Sequence, residues 1–323
     1  TFDGNANMQP DWLWGKERSQ AGNHNAFDTN RGLDKRITPD QADAENTDST
    51  TVTSFNTNGF TLGSSNNINE NGVTTVAWCW KANGGTTASN SSGSITSTVQ
   101  ANTTAGFSIV TYTGNGSSGA TVGHGLGAVP DTIIIKCRSD SQNWFVNTPV
   151  GGGVGYLMLN QDNGDSGSNS TVWNSTSPTS TLFTLGNSGG INGNTQTYVA
   201  YCFKSIQGYS KMGTYVGNGS DDGPFIYTGF KPAWLMIKRT DTTADWFIID
   251  NKRDDYQNPF ADLLSPNLAD AENANTPRGD FTSNGFKWRV SPNALNKVDN
   301  TYFYMAFAES PFVSSAGVPT TAK

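Results

Sequence analysis

The chain has 323 residues, of which 34% are hydrophobic and only 15% charged, with a formal net charge of -7. That length allows two or three domains, and 17 Phe, 10 Tyr and 9 Trp set the chain apart from disordered acidic segments. The acidic balance argues against a nucleic-acid partner, and three widely spaced Cys argue against a disulfide scaffold.

In chain order, Thr1-Phe2-Asp3-Gly4-Asn5 reads as the end of a strand whose fuller versions come later. The first repeat therefore starts mid-unit, and further sequence upstream is expected. Pro10-Asp11-Trp12-Leu13-Trp14-Gly15-Lys16 is an apolar run closed by a base. Gly15 takes the place of an aliphatic residue there, which predicts a weakened or bulged strand. Ala26-Phe27-Asp28 follows, with Arg31 three residues beyond its acid. Ala42-Asp43-Ala44-Glu45-Asn46 is one of two places with signal for a turn or two of helix; the other is residues 261–274. Asn58-Gly59 joins two aromatic runs as a tight turn, and Thr75-Val76-Ala77-Trp78-Cys79-Trp80-Lys81 closes the unit. Residues 84–105, rich in Gly, Ser, Thr and Asn, predict a linker or long loop.

The same grammar then returns. Phe107, Ile109, Thr111 and Thr113 alternate with Ser108, Val110 and Tyr112, as a half-buried strand requires. Pro130-Asp131-Thr132-Ile133-Ile134-Ile135-Lys136, Trp144-Phe145-Val146-Asn147 and Tyr198-Val199-Ala200-Tyr201-Cys202-Phe203-Lys204 rebuild the earlier blocks. A third set comprises Pro232-Ala233-Trp234-Leu235-Met236-Ile237-Lys238, Trp246-Phe247-Ile248-Ile249-Asp250 with Arg253, and Tyr304-Met305-Ala306-Phe307-Ala308-Glu309. The first blocks begin at Pro10, Pro130 and Pro232, intervals of 120 and 102. The second, anchored on Cys79, Cys202 and Ala308, step by 123 and 106. Two series that keep step indicate duplication. The blocks are short, β-branched or aromatic, and bounded by Gly, Asn, Ser or Pro, which is strand patterning. The expected fold is all-β, about three tandem β-sandwich units of jelly-roll or lectin-like type, with a propeller-like array as the alternative. The divisions are 1–83, a linker at 84–105, 106–207, 208–313 and a polar tail at 314–323.

As a set, these blocks, with Asn58-Gly59-Phe60-Thr61-Leu62-Gly63 and the closing Ala306-Phe307-Ala308-Glu309-Ser310-Pro311-Phe312, resemble repeat modules of marine bacteriophage virion and tail-fibre-like surface proteins. The resemblance covers nearly the whole chain. It implies β-sandwich modules on the surface of a particle, and it carries no catalytic residues. Repeat two departs from the pattern, since Asn147 is followed by Thr148-Pro149 where repeats one and three have Asp-x-x-Arg.

Repetition also weighs on the chemistry. Cys79 and Cys202 share one repeat position between aromatics and read as small core residues, with Ala308 as the counterpart in repeat three. Asp28 with Arg31 and Asp250 with Arg253 read as turn-stabilising ion pairs, not as two copies of an active site. His24 and His124 lack neighbouring ligands and read as exposed turn residues. Asp162, Asp165, Asp221 and Asp222 lie in glycine-containing loops that offer oxygen ligands for Ca²⁺, the one cofactor considered. Trp12 and Trp14 are candidate sugar-stacking residues, and Trp173, alone in a polar loop, is the strongest of them.

The expectation is a non-enzymatic virion structural protein: a tail fibre, spike or surface appendage that contributes to host adsorption through glycan contact. Its partners would be other virion proteins, copies of itself in a trimer, and a host-surface glycan or receptor. No nucleic acid and no membrane insertion are expected, because no apolar stretch approaches the ~18 residues that span a bilayer. The alternatives are a capsid decoration or tail-scaffold protein that binds only virion subunits, and a glycan depolymerase with two facing carboxylates.

Overall fold

The computed structural model describes residues 7–253, 258–274, 276–291 and 293–310, with the backbone of 312–313 and 319–320. Repeat one holds β1 (Trp12–Glu17), β2 (Asn25–Asp28), β3 (Gly32–Ile37), β4 (Asn46–Thr47), β5 (Val52–Asn56), β6 (Gly59–Leu62) and β7 (Thr75–Trp80). Repeat two holds β8 (Ala88–Asn90), β9 (Ser97–Asn102), β10 (Phe107–Thr113), β11 (Ala120–Gly123), β12 (Thr132–Cys137), β13 (Phe145–Asn147), β14 (Leu157–Met158), β15 (Leu182–Leu185) and β16 (Thr197–Phe203). Repeat three holds β17 (Ser210–Val216), β18 (Phe225–Tyr227), β19 (Pro232–Arg239), β20 (Trp246–Asp250), β21 (Gly279–Thr282), β22 (Gly285–Trp288) and β23 (Thr301–Ala308).

The architecture is all-β, with antiparallel sheets and, among the described residues, no closed barrel. Each repeat has a main sheet, ordered β4-β3-β2-β1-β7, β14-β13-β12-β16-β10-β9-β8 and β17-β23-β19-β20. A smaller sheet accompanies each: β5-β6, β11-β15 and β18-β22-β21. The residues expected to form a linker instead supply β8 and β9, which extend the second main sheet beyond β10. Ser97, Val99 and Gln100 of β9 are buried, so its Ser/Thr-rich composition hides a half-buried strand. Gly15 produces no bulge either. Register runs through it on both sides, and Ile68 fills the space, lying 2.7 Å from where a Cβ would stand. Register also places Leu13 opposite Cys79, Ile133 opposite Cys202 and Leu235 opposite Ala306. Ala306, not Ala308, is therefore the third counterpart of the two cysteines.

Alternation along the central strands gives each main sheet two apolar faces. One face packs on the repeat's own small sheet, as with Ile133, Ile135 and Cys137 in repeat two and Leu235 and Ile237 in repeat three. The other face joins a single core built by all three repeats, including Trp12, Trp80, Ile134, Tyr201, Phe203, Trp234, Met236 and Phe307. Ring contacts cross every boundary within it: Trp12 stacks on Tyr201 at 4.4 Å, Phe203 meets Phe307 at 6.0 Å, and Trp80 meets Trp234 at 5.5 Å. Such pairs add about 0.5–1.5 kcal/mol each beyond area burial. The units are sandwiches as expected, arranged cyclically around a shared aromatic hub.

The cycle is closed by one hydrogen bond made three times. Trp144 of repeat two donates Nε1–H to the Thr38 carbonyl of repeat one at 2.9 Å. Trp246 of repeat three donates to Met158 of repeat two at 2.9 Å. His24 of repeat one lies 3.0 Å from the Ser265 carbonyl of repeat three. The backbone N–H of each of these residues is held by an Asp or Asn side chain from the same repeat: Asp40 for His24, Asn160 for Trp144 and Asn267 for Trp246, all at 2.9 Å. His24 thus occupies the tryptophan position of the other repeats. It is fully buried, which corrects the expectation of an exposed turn. Trp14 donates to its Nδ1 at 2.9 Å, so the proton sits on Nε2 and points at Ser265. Burial, reinforced by the charge of Lys16, pushes the His24 pKa down to about 3.

Candidate functional site

The residues that looked chemical in the sequence lie mostly in the seams between repeats. In the seam of repeats one and two, Arg31 and Asp28 have fully buried side chains and pair at 2.5 Å. Arg31 also reaches Glu45 at 2.9 Å and the carbonyls of Lys35 and Ala26. Glu45 binds Arg138 of repeat two at 2.8 Å, and the Tyr201 hydroxyl donates to Asp28 at 2.6 Å. The seam of repeats three and one repeats the plan. Arg253 pairs with Asp250 at 2.6 Å and with Glu272, Glu272 takes Arg18 of repeat one at 2.6 Å, and Trp78 donates to Asp250 at 2.9 Å.

The seam of repeats two and three drops all of the set but one carboxylate. Thr148 replaces the Asp and Gly151 the Arg. Thr240 stands for Arg18 and Arg138, and Met305 for Tyr201 and Trp78. A half-complete ionic network would leave a buried charge unpaired, which costs more than an apolar seam. Only Asp165 remains, in the place of Glu45 and Glu272. Its N–H bonds the Thr240 carbonyl as theirs bond Arg138 and Arg18. One carboxylate oxygen accepts from the Gly167 N–H at 2.6 Å, and the other has no partner among the described residues. Burial holds its pKa above the ordinary Asp value.

Three lysines at one repeat position were missed by the sequence reading, which took them as strand ends. Lys16, Lys136 and Lys238 are buried and hydrogen-bond backbone carbonyls. Lys136 reaches Ala42 of repeat one, and Lys238 reaches Asp162 of repeat two. Burial pushes the pKa of Lys136 and of Lys238 down to about 8. A lysine so shifted is a common sign of a base. Here it recurs inside sealed seams, where it serves as a carbonyl clamp. The signal available in the sequence was the alignment itself: a charge kept at the same place after each apolar run.

The predicted contact residues do not form a surface. Trp12 and Trp14 belong to the hub. Trp173 ends a one-turn helix, α1 (Ser170–Trp173), capped by Asn169, and packs with Val172 in the core of repeat two. Trp173 is buried because the cap and the turn fold its polar loop over it, so it is not a sugar platform. His124 is buried too, 3.1 Å from the Thr179 carbonyl. The four loop acids are not brought to one site. Asp162 serves Lys238 and the Ala244 N–H through its carbonyl, Asp165 lies in the seam, Asp221 is exposed, and Asp222 pairs with Lys287 on the surface. Among the described residues no group of three or more His, Cys, Asp or Glu is placed to hold a metal.

The aromatic side chains that do face out lie elsewhere. Phe225 and Tyr227 are 47% and 58% exposed, two residues apart on the edge strand β18, and so share its outer face. Ile226 between them points into the core of repeat three. Lys211 donates to the Tyr227 carbonyl at 2.8 Å, and its ammonium lies 5.3 Å from the ring centre. Beside Tyr227 runs an open groove of about 380 Å³, lined also by Asp131, Lys204, Ser205 and Lys211.

Neither a curated protein nor a solved structure matches the chain. One family model does, described as a domain of unknown function, DUF7483, over residues 4–311, a span that takes in all three repeats. The chain therefore belongs to the DUF7483 family.

Proposed function

We propose that the protein is a non-enzymatic structural component of a bacteriophage virion, a tail fibre, spike or surface appendage, that contributes to host recognition by contacting a surface glycan. The repeat blocks support the virion setting through their resemblance to phage surface modules. The observation that carries the binding role is the exposed pair Phe225 and Tyr227 on the outer face of β18, beside a polar groove with Lys204 and Lys211. Flat aromatic faces with nearby hydrogen-bonding groups suit sugar rings, and alternate strand residues stand about 6.6 Å apart. The paired buried acids, the three buried lysines, and Cys137 and Cys202 support a binding module over an enzyme, since each is held in a seam or a core. Several copies on one particle, a trimer being the simplest, would give weak single contacts useful avidity.

The test is a glycan array that includes host envelope polysaccharides, with the parent chain and the Phe225→Ala/Tyr227→Ala variant. Binding by the parent and its loss in the variant, with an unchanged melting curve, is the expected result. Silence on every glycan, together with tight binding to capsid or tail subunits, would instead favour a decoration or scaffold protein.

A further inference from the structure

We infer that the saccharide held beside β18 is an acidic one, a sugar ring whose carboxylate or sulfate group pairs with Lys211, which narrows the glycan reading above and rests on it. Lys211 lies near the start of β17 and reaches across to β18. Its ammonium donates to the Tyr227 carbonyl and sits over the ring. Lys35, Lys204, Lys231 and Lys287 each have a carboxylate within 3.7 Å, whereas Lys211, among the described residues, has none. One of its N–H donors is spent on the carbonyl, and the others stay available to a ligand.

The rest of the groove makes Lys211 its excess charge. Lys204 donates to both carboxylate oxygens of Asp131 at 3.2 Å, and the Ser205 N–H donates to Asp131 Oδ2 at 2.7 Å. That pair is neutral by itself, so the lining balances two lysines against one aspartate. Asp131 Oδ1 accepts from Lys204 alone and keeps acceptor capacity for a sugar hydroxyl. At physiological ionic strength charges beyond about 8 Å are screened. This local excess, not the -7 of the whole chain, therefore governs an anion at the groove. A lysine is a point charge that does not favour a planar group over a tetrahedral one, so carboxylate and sulfate are one class here.

Strand register shows that the aromatic pair and the lysine belong to repeat three and not to the common plan. Ile226 opposite Phe286 matches Val122 opposite Phe183, so Phe225 and Tyr227 stand where repeat two has Thr121 and Gly123. Lys211 opposite Ala306 matches Ser108 opposite Cys202. In repeat two this corner is structural: Ser108 is buried, and Ser97 of β9 donates to the Gly123 carbonyl at 2.8 Å. Repeat three has two half-exposed rings and a cation in place of those small residues, and none of the three fills a core. An aromatic wall, an unpaired ammonium and a free carboxylate lone pair together match a sugar ring, its acidic group and a hydroxyl.

The probes are acidic polysaccharides printed beside their neutralised forms: polygalacturonate and hyaluronan with their methyl esters, carrageenan and fucoidan with their desulfated forms. The whole chain is compared with Lys211→Met, Lys211→Arg and Lys297→Met, the last removing the same charge at an exposed site beside Gly217, past the other end of β17. The parent is expected to bind acidic members about tenfold more tightly than their neutral partners, the low end for a hydrogen bond to a charged group, and less tightly as salt is added. Lys211→Met abolishes that preference, Lys211→Arg and Lys297→Met keep it, and all melting curves coincide. Hits confined to the first two polymers identify a carboxylate, and hits confined to the last two a sulfate. Equal binding to acidic and neutral partners overturns the inference and leaves the glycan reading standing. A preference that survives Lys211→Met, or is lost equally in Lys297→Met, does the same. Silence of the parent on acidic and neutral members alike overturns both.

Discussion

Replacing Arg31 by Met should be among the most damaging single changes in the molecule, and its cost follows from the seam. The side chains of Arg31 and Asp28 are both inaccessible to solvent and pair at 2.5 Å, and Glu45 lies 2.9 Å away. Without the guanidinium, Asp28 keeps the Tyr201 hydroxyl and two backbone N–H groups, but its charge has no counter-ion. Removing one partner of a buried pair costs about 3–5 kcal/mol. The seam of repeats two and three shows the remedy, which is to remove the charges together. The variant Asp28→Thr/Arg31→Met/Glu45→Gln/Tyr201→Met should therefore recover at least about half of the loss, although it changes four residues. Urea unfolding of the parent, the single variant and the quadruple variant measures both numbers. A quadruple variant as unstable as the sum of its single changes, or an Arg31→Met variant within about 1 kcal/mol of the parent, would refute the reasoning.

Three further outcomes follow from the same contacts. His24 is neutral in the fold, with its pKa pushed down to about 3 by burial, but takes a proton near 6.5 when unfolded. Stability should therefore be full above about pH 6.5 and fall as pH drops toward 3, by on the order of 4 kcal/mol, read from urea midpoints against pH. Repeat one pairs a large Trp14 with a small His24, where the others pair Ile134 with Trp144 and Met236 with Trp246. His24→Trp should overpack, Trp14→Ile should leave a cavity, and the double variant should be more stable than either; two additive losses would contradict the equivalence. Asp165→Asn removes a carboxylate whose pKa burial has raised, so it should stabilise at neutral pH, with a gain that fades as pH falls into the ordinary carboxylate range. A gain equal at both ends of that range would deny the charge a role.

Much of the architecture was legible from local pattern. Three sets of blocks in constant order gave the repeats, and β-branched and aromatic runs between turn residues gave an all-β class. The structural reading of Cys79, Cys202, Asp28 and Arg31 followed from their recurrence. What stayed hidden was mostly non-local. Asp28 and Asp250 do hold their turns, through the backbone N–H groups two and three residues on and the paired Arg, but each also accepts from a residue far along the chain, Tyr201 at 173 residues and Trp78 at 172, so the turn device is part of a seam as well. His24 was misread because its tryptophan equivalence appears only in strand register, not in the short Ala26-Phe27-Asp28 match. Trp173 was misread because its loop is polar residue by residue, and only the Asn169 cap reveals that a helical turn folds inward there. The outward pair Phe225 and Tyr227 was overlooked because a three-residue edge strand between turns carries too little periodicity to show which face it presents.

The central claim is that three repeats share one hub and close one cycle, so none of them is a folding unit alone. Native-state hydrogen exchange under increasing urea tests this directly, on the amides of Ile134, Trp144, Met236, Trp246 and Trp14. The account predicts that the slowest amides of all three repeats converge on a single opening free energy with a common denaturant dependence. Three separate isotherms, with one repeat opening fully while the others stay protected, would contradict it.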